Sequence, residues 1–575
     1  MAAVGWSGAV GLYARSLSLL LFALIAASVV SASSTRSLRL GLLAVDLERD
    51  HGMVIPATLF LEPGSGDVDV LPRGAVDDST YYSTLLASRL ALLFAGHNPL
   101  RYRVVLVVNT STPVGGPSAG GFIASALYDL ALGLVPETTN TTMTGMLSLT
   151  GAVLPVSGIP EKLEAARENG YARIILPRAE AREYAAKGAG PGVAGVCDVF
   201  GASDLLSAPV SGRPGSLVAA SSSTIRHPDA FRRDALKLIG YAESLAPALP
   251  PGEREKVSAM EAAVEEALER GDYYSAASLA FVALYRAAHM FAAKKSFGEL
   301  EERLGLKLED EIKRAEEAVK RVDYKAGGGL CYYWRFAGLS EASYRLYLAK
   351  QVKGMDNVLS LLRALSARTW ADASLETSGP LVPCEEIRGL VGFMTEYAEL
   401  SYKYLKSVLE LPVIRVEIDN RSLAAWIGDM ERAYAAGNLP LAMGLAAFTV
   451  SYMESRLLAA VMLEDCIIGH WNRMASLLGS WALFPSILYH GYASTYSGLV
   501  ANYTGGSRIG LLASLEASAT TWLLSGLALK ALGGGEEKGQ LKALLQPEEA
   551  YALLAAEAAL LAIVYVTVLR LAKKV

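Results

Sequence analysis

Two stretches decide the reading of this sequence: Pro113-Val114-Gly115-Gly116-Pro117-Ser118-Ala119-Gly120-Gly121, and further on Gly151-Ala152-Val153-Leu154-Pro155-Val156-Ser157-Gly158-Ile159-Pro160-Glu161-Lys162. The first sets a serine between a Gly-Gly-Pro turn and a helix-forming run that extends from Ala119 to Leu132. Such a turn presents the hydroxyl to solvent, and backbone N–H groups around Gly116, Pro117 and Ala119 can surround a developing oxyanion. The second sets Lys162 in the first turn of a helix that runs to Asn169, with Gly170 as its C-cap. A lysine amine serves as a base only when burial lowers its pKa, here by roughly three units, so the amine must be buried and have no carboxylate close by. Taken singly, the serine reads as a helix cap and the lysine as a solvated surface residue. Together they predict a serine-lysine hydrolase.

Outward from these stretches, residues 36–210 alternate short apolar runs with helical stretches broken by glycine and proline, which predicts a mixed α/β (α+β) domain. Leu38–Leu47 and Gly52–Pro63 read as two strands joined by a turn, and Ser79–Ala95 as the first long helix. Arg101–Asn109 is a buried strand that leads into the serine turn. Met143–Pro155 reads as a hairpin with Gly151 in its turn. A Ser/Gly/Pro-rich linker at 211–225 separates this domain from residues 226–546, whose long Ala/Leu/Glu/Arg/Tyr runs predict an α-helical domain. Within that domain the segments starting at Ala267 and Ala433 place small residues and a Gly-Asp or Gly-Asn turn at the same spacing, as in tetratricopeptide-like helical hairpins.

Of the 575 residues, 52% are hydrophobic and 19% charged, which is apolar for a wholly soluble chain. The net charge of −5 and the lack of an Arg-rich stretch argue against a nucleic-acid partner. Residues 1–35 have the layout of a secretory signal peptide or signal anchor. Residues 550–571 carry a 20-residue apolar stretch, Ala550–Leu569, followed by Arg570, Lys573 and Lys574, and read as a transmembrane helix with a cytoplasmic C-terminus. The bulk of the chain is thus expected outside the cytoplasm, anchored in the membrane. Two further apolar stretches, 474–500 and 509–532, contain polar and charged residues and are expected to be core helices. Asn109, Asn140, Asn420 and Asn502 lie in N-x-S/T sequons and are candidate glycosylation sites. Cys197, Cys331, Cys384 and Cys466 have no C-x-x-C spacing; they read either as buried free thiols or as supplying one disulfide, Cys331 to Cys384. The six histidines are scattered, without metal-ligand spacing, and no metal or other cofactor is expected.

The two central stretches resemble the proteolytic domain of Lon-type serine-lysine proteases. That family's P-K-D-G-P-S-A-G stands here as Pro113–Gly120, its M-T-G-E as Met143-Thr144-Gly145-Met146, and its V-L-P-I-G-G-x-x-E-K as Val153–Lys162. The likeness spans roughly residues 38–210. It implies that Ser118 is the nucleophile, Lys162 the general base and Thr144 a hydroxyl that orients the lysine. Gly115 and Met146 replace acidic residues of the family pattern, and Ser157-Gly158 replaces Gly-Gly. Cytosolic relatives join this domain to an ATPase that requires G-x-x-x-x-G-K-[ST]; the sequence has no such loop, so the resemblance implies an ATP-independent peptidase acting on polypeptides. A ring-shaped homo-oligomer is likewise implied by the family alone, and an exported Lon-like domain suits an archaeon. The alternative from a different class is a non-catalytic scaffold that retains the protease fold and uses the helical domain to bind partners.

Overall fold

A computed structural model describes residues 35–46, 51–72, 76–110, 115–187, 192–207, 227–409, 416, 418–478, 483–504 and 506–533. The predicted signal segment (apart from residue 35), the linker at 211–225, the span at 550–571, and Pro113 and Val114 lie outside them.

The α/β region begins with β1 (Arg36–Asp46), β2 (His51–Pro63), β3 (Val68–Leu71) and β4 (Tyr102–Val108), which form one sheet in the order β1-β2-β4-β3. β1 runs antiparallel to β2 and β2 antiparallel to β4, while β3 pairs parallel to β4. Burial alternates along the paired parts of β2 and β4. Ala57, Leu59 and Leu61 of β2 and Val104, Leu106 and Val108 of β4 are buried, and the residues between them are less so, as a sheet with one face on the core requires. Between β3 and β4 lies α1 (Asp78–Phe94); after β4 come a 3₁₀ turn (Pro117–Ala119) and α2 (Gly120–Ala131), which packs along α1.

The second half of the region builds a parallel three-stranded sheet from β5 (Thr141–Met143), β8 (Arg173–Pro177) and β9 (Val193–Val196), with β8 in the centre. A short hairpin of β6 (Met146–Leu147) and β7 (Val153–Leu154) turns through Gly151, at φ +101°, and leads to α3 (Ile159–Glu168), the lysine helix. α3 lies on β2 and β1, and α4 (Arg178–Ala186) and α5 (Val199–Leu206) complete the region.

From Asp229 to Leu532 the chain is almost wholly helical. The helices Pro251–Glu269 and Tyr273–Lys294 turn through Gly271 at φ +76°, and Asn420–Ala435 and Leu439–Val461 through Gly437 at φ +74°; Asp272 and Asn438 cap the second helix of each pair. A small sheet of Lys325–Gly327, Leu330–Tyr332 and Leu381–Pro383, which the sequence pattern had not suggested, interrupts the helices. Its strands are only three residues long, too short to show a period, and the Cys331–Cys384 disulfide ties them. The helix Arg508–Leu532 is buried along most of its length among its neighbours. Among the described residues, one helix, Tyr273–Lys294, is long and apolar enough to cross a membrane, and half of its apolar stretch is buried against other helices.

The described residues on either side of the expected linker at 211–225 pack together. α1 packs against α2 and also against the helix Cys384–Leu409, and apolar side chains from both regions belong to one buried cluster. A second disulfide, Cys197–Cys466, joins the end of β9 to the helix Glu464–Leu478 across 269 residues of sequence. No cysteine is therefore a free thiol. Arg182–Asp465 and Arg473–Asp204 ion pairs, 2.9 Å each, flank that disulfide.

Candidate active site

Ser118 sits in the 3₁₀ turn, and its position is fixed by contacts that its own stretch does not contain. Gly116, just before the turn, has φ +108°, a conformation that side chains disfavour. Its carbonyl accepts the Thr80 hydroxyl (3.2 Å), and the Pro117 carbonyl accepts the Ser83 hydroxyl (3.3 Å), both from the start of α1. The Gly116 amide donates to both Asp77 carboxylate oxygens (3.3 and 3.2 Å) and to Ser79 Oγ (3.0 Å). Asp77 is also the N-cap of α1, accepting from the Thr80 amide at 2.8 Å. Burial raises its pKa, but the Thr80 amide, the Ser79 and Thr80 hydroxyls and the Gly116 amide outweigh that and hold the carboxyl below its ordinary value.

A Cβ on Gly115 would lie 2.4 Å from Asp77 Oδ2. The Asp77 carboxylate, at the start of α1, thus lies beside position 115, where the family pattern carries an acid. Sequence reading missed Asp77, although Asp77-Asp78-Ser79-Thr80 is a helix-start pattern that would have singled it out. The expected oxyanion donors also change. The Gly116 amide is engaged by Asp77 and Ser79, Pro117 has no N–H, and the Gly120 and Gly121 amides donate to the Pro117 and Gly145 carbonyls, which leaves the Ser118 and Ala119 amides as the candidate donors of this turn.

Thr144 follows the C-terminal end of β5, and its amide donates to Ile175 of β8 (3.1 Å). Its side chain is fully buried. The Thr144 hydroxyl donates to the Ser118 carbonyl (3.3 Å) and accepts from Lys162 Nζ (3.3 Å), while the Gly145 amide donates to the same carbonyl (2.8 Å). One hydroxyl therefore bridges the serine turn and the lysine amine.

Lys162 is placed by α3, which starts after Gly158 at φ +70°. Only 5% of Lys162 is exposed, and burial lowers its pKa from 10.5 to about 8. At pH 7 roughly a tenth of such amines are neutral, against a few in ten thousand for a free lysine. The expectation of no nearby carboxylate does not hold. Glu180 on α4, and to a smaller extent Glu161, pull the Lys162 pKa upward without overcoming burial. Burial pushes Glu180 itself up to about 7, so its charge is partly lost near neutrality.

The loop of the β6–β7 hairpin, directly after Thr144, is held by the helical region. Glu454, fully buried on the helix Leu439–Val461, accepts from Ser148 Oγ (2.8 Å), the Leu149 amide (2.8 Å) and Thr150 Oγ1 (2.6 Å). The Tyr397 and Tyr404 hydroxyls donate to the Leu149 and Leu147 carbonyls (2.5 and 2.6 Å). His470 lies between the Thr150 carbonyl (2.9 Å) and Asp198 (3.4 Å). The sequon asparagines Asn109, Asn140, Asn420 and Asn502 are all exposed, and none touches the Ser118–Thr144–Lys162 chain of hydrogen bonds.

Residues 101–186 match the Lon protease (S16) C-terminal proteolytic domain. The mitochondrial Lon protease homologues of Mus musculus and Homo sapiens are 53% and 47% identical to this chain over 74 residues, 13% of this chain and 8% of each relative. The peroxisomal Lon protease homolog 2 of Caenorhabditis briggsae is 46% identical over 69 residues, 12% of this chain and 9% of its own. The matched part of this chain thus spans less than a tenth of the length of these relatives. Ser118, Thr144 and Lys162 all fall within the stretch that is similar to the proteolytic domain of the Lon family of serine proteases.

Proposed function

We propose that this protein is a serine endopeptidase in which Ser118 is the nucleophile, Lys162 the general base and Thr144 the residue that orients the lysine. The observation that carries this reading is the buried Lys162 amine, lowered toward neutrality and hydrogen-bonded through Thr144 to the serine turn. Neutral Lys162 Nζ takes the Ser118 Oγ proton as the oxygen attacks a peptide carbonyl carbon. The Ser118 and Ala119 amides hold the oxyanion, and the ammonium then gives its proton to the leaving amine as the C–N bond breaks. Water attacks the acyl-enzyme, Lys162 takes its proton, and the serine hydroxyl is restored as the acid departs.

Polypeptides are the proposed substrates, and cleavage proceeds without ATP because the sequence holds no phosphate-cradling loop. Two disulfides agree with the proposed site outside the cytoplasm, with residues 550–571 as the membrane anchor and the C-terminus cytoplasmic. The test compares casein cleavage by the full chain and by Ser118→Ala in the absence of nucleotide. The proposal expects cleavage by the first alone. Binding of casein without cleavage by either would favour the non-catalytic scaffold.

A further inference from the structure

Glu180 has no role in the mechanism above, yet the fold brings it to the same place as the base. β5 and β8 are neighbouring parallel strands; Thr144 follows the C-terminal end of the first and Glu180 the C-terminal end of the second, in the first turn of α4. Side chains at such strand ends converge on one edge of the sheet. Glu180 Oε1 accepts the Val156 amide at 2.8 Å. Val156 belongs to the segment that runs from β7 into the lysine helix, so this bond anchors the path that delivers Lys162. Oε2 is buried and has no hydrogen-bond partner among the described residues. A buried carboxylate oxygen without a donor is costly unless it carries a proton or faces a cation, and Lys162 is the cation that acts on it.

We propose that Glu180 is a positioning residue for the base: one oxygen fixes the segment leading to Lys162, and the other sets the field at the Lys162 amine so that the ammonium formed from Ser118's proton is stabilised. The inference rests on the Ser118–Lys162 reading. The proton passes from Ser118 Oγ to Lys162 Nζ; Glu180 exchanges none with substrate and acts through charge. The groups acting on Lys162 are Glu180, Glu161 on its own helix and the Thr144 hydroxyl from the end of β5; those acting on Glu180 are the Val156 amide, Lys162 and Glu183 one turn along α4. An ionised Glu180 raises the basicity of the amine, and a protonated one releases it.

The experiment measures kcat/KM for a peptide substrate against pH for the full-length protein, Glu180→Gln and Glu180→Asp. The wild-type acid limb is expected near pH 8. Glu180→Gln keeps an acceptor for the Val156 amide and removes the charge; its acid limb moves to lower pH by roughly half a unit or more, and its plateau falls several-fold as the base weakens. Glu180→Asp restores the charge and returns the limb toward the wild-type position. An acid limb that stays in place in Glu180→Gln overturns the inference. If Glu180→Gln does not fold, Glu180→Asp carries the test alone: its charge is drawn back from the amine by one methylene, so a limb displaced to lower pH by less than expected for Glu180→Gln supports the inference, and a limb that stays in place overturns it. Activity retained by Ser118→Ala would overturn the underlying reading instead, so the two failures are distinguishable.

Discussion

Replacing Lys162 with methionine should abolish peptide cleavage and make the protein more stable. Methionine fills the unbranched path of the lysine stem with an apolar chain of similar length, and the site is almost closed to water. A lysine held at a pKa of about 8 in the folded state and 10.5 when unfolded opposes folding wherever it is charged. At 1.36 kcal/mol for each pH unit, that difference is about 3 kcal/mol at pH 7. The sign follows from proton binding: between pH 8 and 10.5 the unfolded chain binds more protons, so wild-type stability rises with pH across this window. Urea unfolding of both proteins at pH 7 and pH 10.5 provides the measurement. Lys162→Met should lead by about 3 kcal/mol at pH 7, with the gap closing toward pH 10.5. Equal stability at pH 7, or a gap that does not change with pH, would refute the claim that burial is what makes Lys162 a base.

Thr144→Val keeps the shape of a fully buried side chain and removes the hydroxyl between Lys162 and the Ser118 carbonyl; kcat should fall by roughly 10- to 100-fold in a peptide assay, with little change in KM. Asp77→Ala removes both the cap of α1 and the Gly116 contact, and should lower stability by about 1–2 kcal/mol in urea titrations while also reducing kcat. Glu454→Ala leaves the Ser148, Leu149 and Thr150 donors without their acceptor, a loss of more than about 3 kcal/mol on unfolding. The paired change Cys197→Ser with Cys466→Ser should cost about 2–5 kcal/mol and make the α/β region more sensitive to limited proteolysis.

How far the sequence could be read follows from how local each signal is. Ser118 and Lys162 announce themselves because the turn, the glycines and the helix start that place them lie within a few residues of each. β1, β2 and β4 were legible because each is a short apolar run bounded by turn or polar residues. Asp77, Glu180 and Glu454 are ordinary acids in their own neighbourhoods; their work is done on Gly116, Val156 and residues 148–150, from 24 to more than 300 positions away. The Cys197–Cys466 link escaped for the same reason, since only the packing of the helical region against β9 brings the two sulfurs together. The composition of 211–225 reads as a linker, and such a local signal carries no information on the packing of the helix Cys384–Leu409 against α1.

The central claim, that neutral Lys162 activates Ser118, is tested most directly by labelling with a fluorophosphonate probe and mapping the adduct by mass spectrometry across pH. The account predicts a single adduct on Ser118, formed at a rate that rises with a midpoint near pH 8, and no adduct on folded Lys162→Met. An adduct at another residue, or equal labelling of Lys162→Met, would contradict it.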